Sequence, residues 1–163
     1  MTGEEYQRYV SAPVLGTDPF VMGYILDTSR EARHALGAVA DSLGVNELNF
    51  MAQGSGTREE LPSVGEWLGA IRDSEFVVTD SFHGTVFAIL FEVPFVTLPN
   101  PDRGSSRVES LLTMLKLRNR LVERPEEAAN ILHSVPIRWD EVRALLGVER
   151  ERGLTYLRKS LSA

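Results

Sequence analysis

The sequence of 163 residues has no cysteine, which excludes a disulfide scaffold, a thiolate metal site and a cysteine nucleophile together. Long apolar runs are also missing. The longest, residues 86–91, is much shorter than a membrane span, and no signal-peptide pattern is visible. Positive charge is scarce too, and the net charge of −6 argues against binding along nucleic acid or an anionic membrane. These absences are compatible with a cytoplasmic protein.

Two further kinds of site are not indicated. The sequence contains no Walker-type or GxGxxG loop, and the GSG at residues 54–56 is too short to replace one. The three histidines are far apart along the chain, and the acidic residues do not cluster at ligand spacing. We therefore expect no metal site and no dinucleotide cofactor.

What the chain does have is an alternation of short apolar segments with helical patterns. Strands are predicted over 20–26, 48–52, 76–79 and 94–98, with a short fifth strand at 121–122. Capping-box spacings at Thr28–Glu31 and Ser63–Glu66 mark two of the intervening helix starts. Strands separated by helices imply right-handed crossovers. The predicted fold is α/β: a Rossmann-like parallel sheet with helices on both faces.

The domain organisation follows from the same pattern. Residues 19–163 are predicted to form a single Rossmann-like domain, since the length suits one core. Residues 1–18 are polar and lack a clear period, so they are predicted to be linker-like.

The first group of functional candidates lies in FVVTDSFHG, residues 76–84, where a buried strand ends in polar residues. In open α/β sheets, ligands bind at the carboxyl ends of the strands. His83 can exchange a proton near neutral pH, or it can simply pack or cap at a helix start. Asp80 and Ser81 are preferred N-cap residues, and Asp80 is also able to orient His83. Gly84 permits close approach of a ligand, or it lets helix and strand pack together.

The second group follows the next strand and comprises Asn100, Arg103, Gly104, Ser105, Ser106 and Arg107. Guanidinium groups bind phosphate and carboxylate bidentately, and the backbone N–H groups between the two arginines lie at a predicted helix start. The simpler alternative is two surface arginines in a solvated loop. Because both groups follow strands of one sheet, we expect them to share one anion site.

These two groups carry a family resemblance. Residues 63–122 closely resemble the C-terminal half of the polysaccharide pyruvyl transferase family. The matching features are Trp67-Leu68, the run from Val77 to Gly84, Pro94-Phe95, and the series Asn100, Arg103-Gly104, Arg107 and Ser110-Leu111-Leu112. The region is specific because the histidine turn and the arginine loop occur in the family's order and spacing.

The resemblance implies two Rossmann-like halves arranged as in GT-B glycosyltransferases, with the active site between them. Such enzymes transfer a pyruvyl group from phosphoenolpyruvate to a sugar of a cell-surface polysaccharide precursor, forming a ketal and releasing phosphate. Phosphoenolpyruvate is the donor substrate, and no cofactor is implied. His83 matches the histidine expected to act as general acid or base. Asp80, Ser81 and Gly84, with the arginine loop, are expected to bind substrate.

Two departures from the family pattern affect these expectations. Many members have arginine at the position of Ser81, and Arg103 or Arg107 is the expected substitute for its charge. The chain also corresponds to only one of the two halves. We therefore expect the N-terminal domain to be a required partner, the isolated chain to be inactive, and an exposed cleft surface to promote self-association.

Two other functions remain open from the sequence. The second choice among enzymes is one half of a GT-B-like glycosyltransferase that uses a nucleotide sugar in the same cleft. The chain could also be a non-catalytic binding module that retains the fold.

Overall fold

The computed structural model describes residues 2–11, 18–27, 29–50, 63–100 and 105–162. Its centre is a four-stranded, wholly parallel sheet in the order β2-β1-β3-β4. The strands are β1 Phe20–Tyr24, β2 Asn46–Asn49, β3 Phe76–Thr79 and β4 Phe95–Thr97. Where a fifth strand is predicted, the described residues show a single parallel bridge between Thr97 and Leu121.

Six α-helices and two 3₁₀ helices surround the sheet in the described part of the chain. The α-helices are α1 Gly3–Gln7, α2 Arg30–Leu43, α3 Val64–Asp73, α4 Phe82–Leu90, α5 Ser105–Met114 and α6 Trp139–Leu161. The 3₁₀ helices are Arg118–Arg120 and Pro125–His133.

Alternating strand residues separate two apolar cores, one on each face of the sheet. In β3, Val77 packs into the core formed with α3, α4, α5 and α6, whereas Phe76 and Val78 pack into the core formed with α2 and the second 3₁₀ helix. A parallel sheet needs helices on both faces because both faces of its strands are apolar. The predicted Rossmann-like α/β architecture is thus the one observed.

Local signals set several helix ends where the sequence places them. Ser63 and Glu66 form a reciprocal capping box: Glu66 N–H donates to Ser63 Oγ at 3.2 Å, and Ser63 N–H donates to Glu66 Oε2 at 2.7 Å. The bond that the Glu66 carboxylate accepts from Ser63 N–H, aided by the Ser63 side chain, lowers the pKa of the Glu66 carboxyl. Gly44 ends α2 in the left-handed conformation, with φ of 68°. Ser29 caps the start of α2, whereas Thr28, the predicted cap, lies outside the described residues.

The N-terminal segment differs from the sequence prediction. Within the segment expected to be linker-like, α1 forms, and the Tyr6 ring meets Phe87 edge-on at 5.0 Å. Ser11 N–H also donates to the Gly65 carbonyl at 3.1 Å. A local capping box between Thr2 and Glu5 begins α1, and contacts with distant parts of the chain hold the segment in place. The division into residues 1–18 and 19–163 stays a prediction.

The order of the strands creates a crevice at one point of the sheet. From β1 the chain moves outward to β2, and from β3 it moves outward in the opposite direction to β4. Adjacent strands β1 and β3 therefore have connections that diverge. In open α/β sheets the ligand crevice lies at this switch point, beyond the carboxyl ends of the strands. FVVTDSFHG leads into this crevice.

Candidate active site

A cavity of about 350 Å³ opens at the carboxyl ends of β1, β3 and β4. Its walls come from the loop after β1, the turn from β3 into α4, the loop after β4, and α5. The residues lining it are Leu26, Asp80, Ser81, Phe82, His83, Leu98, Pro99, Asn100, Arg107, Val108 and Leu121. The cavity thus combines an imidazole, a guanidinium group and several polar groups with an apolar floor.

His83 is the second residue of α4, and its side chain is exposed at the cavity. Its ring lies 5.8 Å from the Phe82 ring, nearly perpendicular to it. Ser81 precedes α4 at the N-cap position, but its hydroxyl makes no capping bond, and in the described ranges it has no hydrogen-bond partner. The imidazole and this hydroxyl both face the cavity, where a ligand can reach them.

The hydrogen bonds of Asp80 match neither of the two roles that its position in the sequence predicts, capping and orienting His83, while its part in substrate binding stays a prediction. Asp80 is only 4% exposed, and its carboxylate accepts hydrogen bonds from Leu26 N–H at 2.7 Å, Asp27 N–H at 2.6 Å and the Asn100 side-chain amide at 2.8 Å. These three donors occupy both carboxylate oxygens. Asp80 therefore neither caps α4 nor orients His83, because its partners come from the loops after β1 and β4.

Gly84 is a packing residue in this structure. A Cβ at this position would lie 2.3 Å from Thr79 Oγ1, so only glycine lets α4 approach the end of β3 this closely. Thr79 Oγ1 in turn donates to the Tyr24 carbonyl at 2.7 Å and accepts from Ser81 N–H at 3.1 Å. Gly84 is absent from the residues that line the cavity, and its assignment as a substrate-binding residue stays a prediction.

The second predicted group reaches the same cavity through two of its members, Asn100 and Arg107. The Arg107 guanidinium lies over the Phe82 ring, with its carbon 5.3 Å from the ring centroid, a cation–π geometry. Ser106 is exposed in a shallow depression beside the cavity. Ser105 begins α5, whereas Arg103 and Gly104 lie outside the described residues.

The sequence analysis did not identify the apolar residues of the cavity. Phe82 lies between His83 and Arg107 and contacts both, but a phenylalanine inside an apolar pattern gives no functional signal by itself. The same holds for Leu26, Val108 and Leu121. Only the proximity of Phe82 to two charged or titratable side chains reveals its place in the site.

Neither a metal site nor a membrane span is found in the described ranges. No three histidine, aspartate or glutamate residues there group closely enough to hold a metal ion. No described helix is long and apolar enough to cross a membrane.

The decisive comparison is with protein families. The model of the polysaccharide pyruvyl transferase family matches residues 12–103, more than half of the chain. The chain belongs to the polysaccharide pyruvyl transferase family. The turn that carries His83 lies inside the matched range, and Arg107 lies just beyond it in this pyruvyl transferase-family chain.

A solved structure supports the fold. The glycotransferase of kitacinnamycin matches with a TM-score of 0.51 and 15% identity over 83% of this chain. This likeness agrees with a Rossmann-like unit of the kind found in GT-B-like enzymes. The family chain spans 40% of the length of that glycotransferase. None of the curated proteins matches the sequence.

Proposed function

We propose that this chain provides the donor-binding half of an enzyme that transfers a pyruvyl group from phosphoenolpyruvate to a sugar of a cell-surface polysaccharide precursor, as a ketal. The observation that carries the proposal is the meeting of His83 and Arg107 in one cavity at the strand ends of a pyruvyl transferase-family fold. Phosphoenolpyruvate has a phosphate and a carboxylate, both of which a guanidinium group binds well. The sugar acceptor would contact mainly a facing N-terminal domain.

His83 is the proposed general acid and base. One sugar hydroxyl adds to C2 of phosphoenolpyruvate while the methylene carbon takes a proton from the imidazolium, which leaves a tetrahedral C2 bearing phosphate. The second hydroxyl then bonds to C2, and the bond from C2 to the phosphate oxygen breaks. Of the two hydroxyl protons, one returns to His83 and the other leaves with phosphate. An exposed imidazole at the cavity suits this exchange.

Arg107 is the proposed anion-binding residue and the substitute for the arginine that many family members have where this chain has Ser81. Its guanidinium lines the cavity and rests on the Phe82 ring, next to His83. The Ser81 hydroxyl, which has no partner in the described part of the chain, adds a hydrogen-bonding group on the same wall. Arg103 remains an additional candidate by its position in the sequence.

A second candidate function is transfer of a sugar from a nucleotide sugar in the same cavity. The likeness to the glycotransferase of kitacinnamycin favours it. At 15% identity, however, this likeness concerns the fold alone. The family match and the histidine–arginine pair both favour phosphoenolpyruvate.

Thermal unfolding of the chain with each donor separates the two functions. A ligand in hundredfold excess over its Kd stabilises the folded state by about 2.7 kcal/mol, which for a domain of this size raises Tm by about 5 °C or more. We expect phosphoenolpyruvate to give such a rise and UDP-glucose to give none. Arg107→Ala should reduce the rise to about half, as a tenfold weaker Kd implies, whereas Arg152→Ala, which removes an exposed arginine that pairs with Glu149, should keep it. Protection by UDP-glucose alone would favour the second function.

A further inference from the structure

The Asp80 carboxylate is buried at the end of β3. Among the described residues no salt bridge involves Asp80, and the side chain is only 4% exposed. Burying a carboxylate is costly unless hydrogen bonds replace its water. Here three short bonds, of 2.6 to 2.8 Å, provide that replacement. Without these bonds the buried carboxylate would be energetically unfavourable.

The three donors join the ends of three neighbouring strands. Leu26 and Asp27 follow β1, Asn100 follows β4, and Asp80 itself ends the strand between them. The bonds therefore cross the sheet at the switch point between β1 and β3 and continue to the far side of β3. Backbone pairing alone does not fix these residues, because they lie beyond the last ladder pairs of β1 and β4.

Both loops held in this way form walls of the cavity. Leu26 and Asn100 are both among the residues that line it. We propose that Asp80 is a positioning residue whose carboxylate fixes the loops after β1 and β4 as one preformed wall of the donor cavity. The proposal rests on the proposed function only for the identity of the donor, phosphoenolpyruvate.

Loss of the Asp80 bonds should affect donor binding more than the chemical step. His83 is held by α4, which is anchored to the sheet by another contact: Thr85 Oγ1 lies 2.9 Å from Thr97 Oγ1 in β4. Loss of the Asp80 bonds should therefore loosen the wall and leave the imidazole in place. In a complete two-domain enzyme this predicts a higher KM for phosphoenolpyruvate with kcat nearly unchanged.

The test uses three variants: Asp80→Asn, Asn100→Ala and the double variant that carries both changes. The control is Glu75→Gln, which removes an exposed negative charge just before β3. Amide hydrogen exchange and chemical shifts at Leu26 and Asp27 report on the wall. Calorimetric titration with phosphoenolpyruvate reports on the cavity. Losing hydrogen bonds to a charged group should speed exchange at these two amides about tenfold or more, with no change in the amides of β3 and α4.

The two single variants should each weaken phosphoenolpyruvate binding about tenfold. The double variant should show no faster exchange at Leu26 and Asp27 than Asp80→Asn, because Asn100 reaches these amides through the Asp80 carboxylate. Glu75→Gln should match the natural sequence. Unchanged exchange in Asp80→Asn, unchanged affinity despite faster exchange, or a further increase of exchange in the double variant would each overturn the proposal.

The remaining outcomes are also informative. If Asp80→Asn does not fold, Asn100→Ala retains the carboxylate and should still shift the Leu26 and Asp27 amide resonances, since they share its oxygens; unshifted resonances would contradict the inference. If the natural sequence does not bind phosphoenolpyruvate, the proposed function fails, and the exchange data alone decide the role of Asp80.

Discussion

The turn from β3 into α4 is tightly packed, whereas the second half of α6 is loosely packed and exposed. At the turn, Asp80 has three hydrogen-bond donors and a Cβ on Gly84 would be 2.3 Å from Thr79 Oγ1. In α6, a Cβ on Gly153 would meet nothing within 4 Å, and the Leu161 side chain is 86% exposed. Of these two regions, the one beside the cavity is thus the tightly packed one. Substitutions that are costly at the turn should be harmless or favourable in α6.

Asp80→Ala should give the largest effect. It removes the three hydrogen bonds that the buried carboxylate accepts, and hydrogen bonds to charged groups contribute about 1.5–3 kcal/mol each. Because such losses are not additive, we expect the free energy of unfolding to fall by about 4 kcal/mol. Urea denaturation followed by circular dichroism measures the change. A loss below about 1 kcal/mol would mean that the three bonds contribute little.

Gly84→Ala should be next in size. The added methyl group would force α4 away from Thr79, and overpacking of this kind costs about 1–3 kcal/mol. We expect a loss of about 2 kcal/mol in the same denaturation experiment. A variant as stable as the natural sequence would show that the turn can relax and that the packing contrast is weaker than the distances imply.

Arg107→Ala should affect binding more than stability, because this residue is exposed and lines the cavity. Loss of a charge-assisted bond to phosphate or carboxylate should weaken phosphoenolpyruvate binding about tenfold. Calorimetric titration gives the Kd, and Arg152→Ala is the matched control in the open half of α6. Equal affinity in the two variants would remove Arg107 from the site.

Gly153→Ala should have the smallest effect and the opposite sign. Alanine is a better helix former than glycine by about 1 kcal/mol, and open space surrounds the position. We expect Tm to rise by a few degrees, about 2–4 °C, in a thermal scan. A fall in Tm would reveal a contact of α6 that the packing does not account for.

The same contrast explains which features the sequence could predict. Strand β3 is a continuous apolar run, and the Ser63–Glu66 capping box depends on residues three apart. Local patterns are sufficient for both. The role of Asp80 depends on hydrogen-bond donors that lie 54, 53 and 20 residues away in the sequence. Local sequence patterns do not show such partners, so they favour capping, the local alternative. Gly84 was ambiguous because a ligand and a strand residue impose the same demand on a glycine.

The helix α6 illustrates a different limit of sequence reasoning. By sequence, residues 138–161 form a helical pattern that Gly147 and Gly153 could break, but the helix runs unbroken over Trp139–Leu161. A glycine lowers helix propensity by only about 1 kcal/mol, which the rest of a long helix can offset. The apolar residues that recur at helical spacing are not all buried either: Val142 is buried near the start, while Leu157 and Leu161 are exposed.

The most direct test of the central claim is to follow the histidine ring resonances of the chain by NMR during titration with phosphoenolpyruvate. His34 and His133 are exposed on α2 and on the second 3₁₀ helix, so they serve as internal controls. The account predicts a saturable shift of the His83 resonance only, and no shift of any histidine with UDP-glucose. Movement of His83 with UDP-glucose but not with phosphoenolpyruvate, or no movement with either donor, would contradict it.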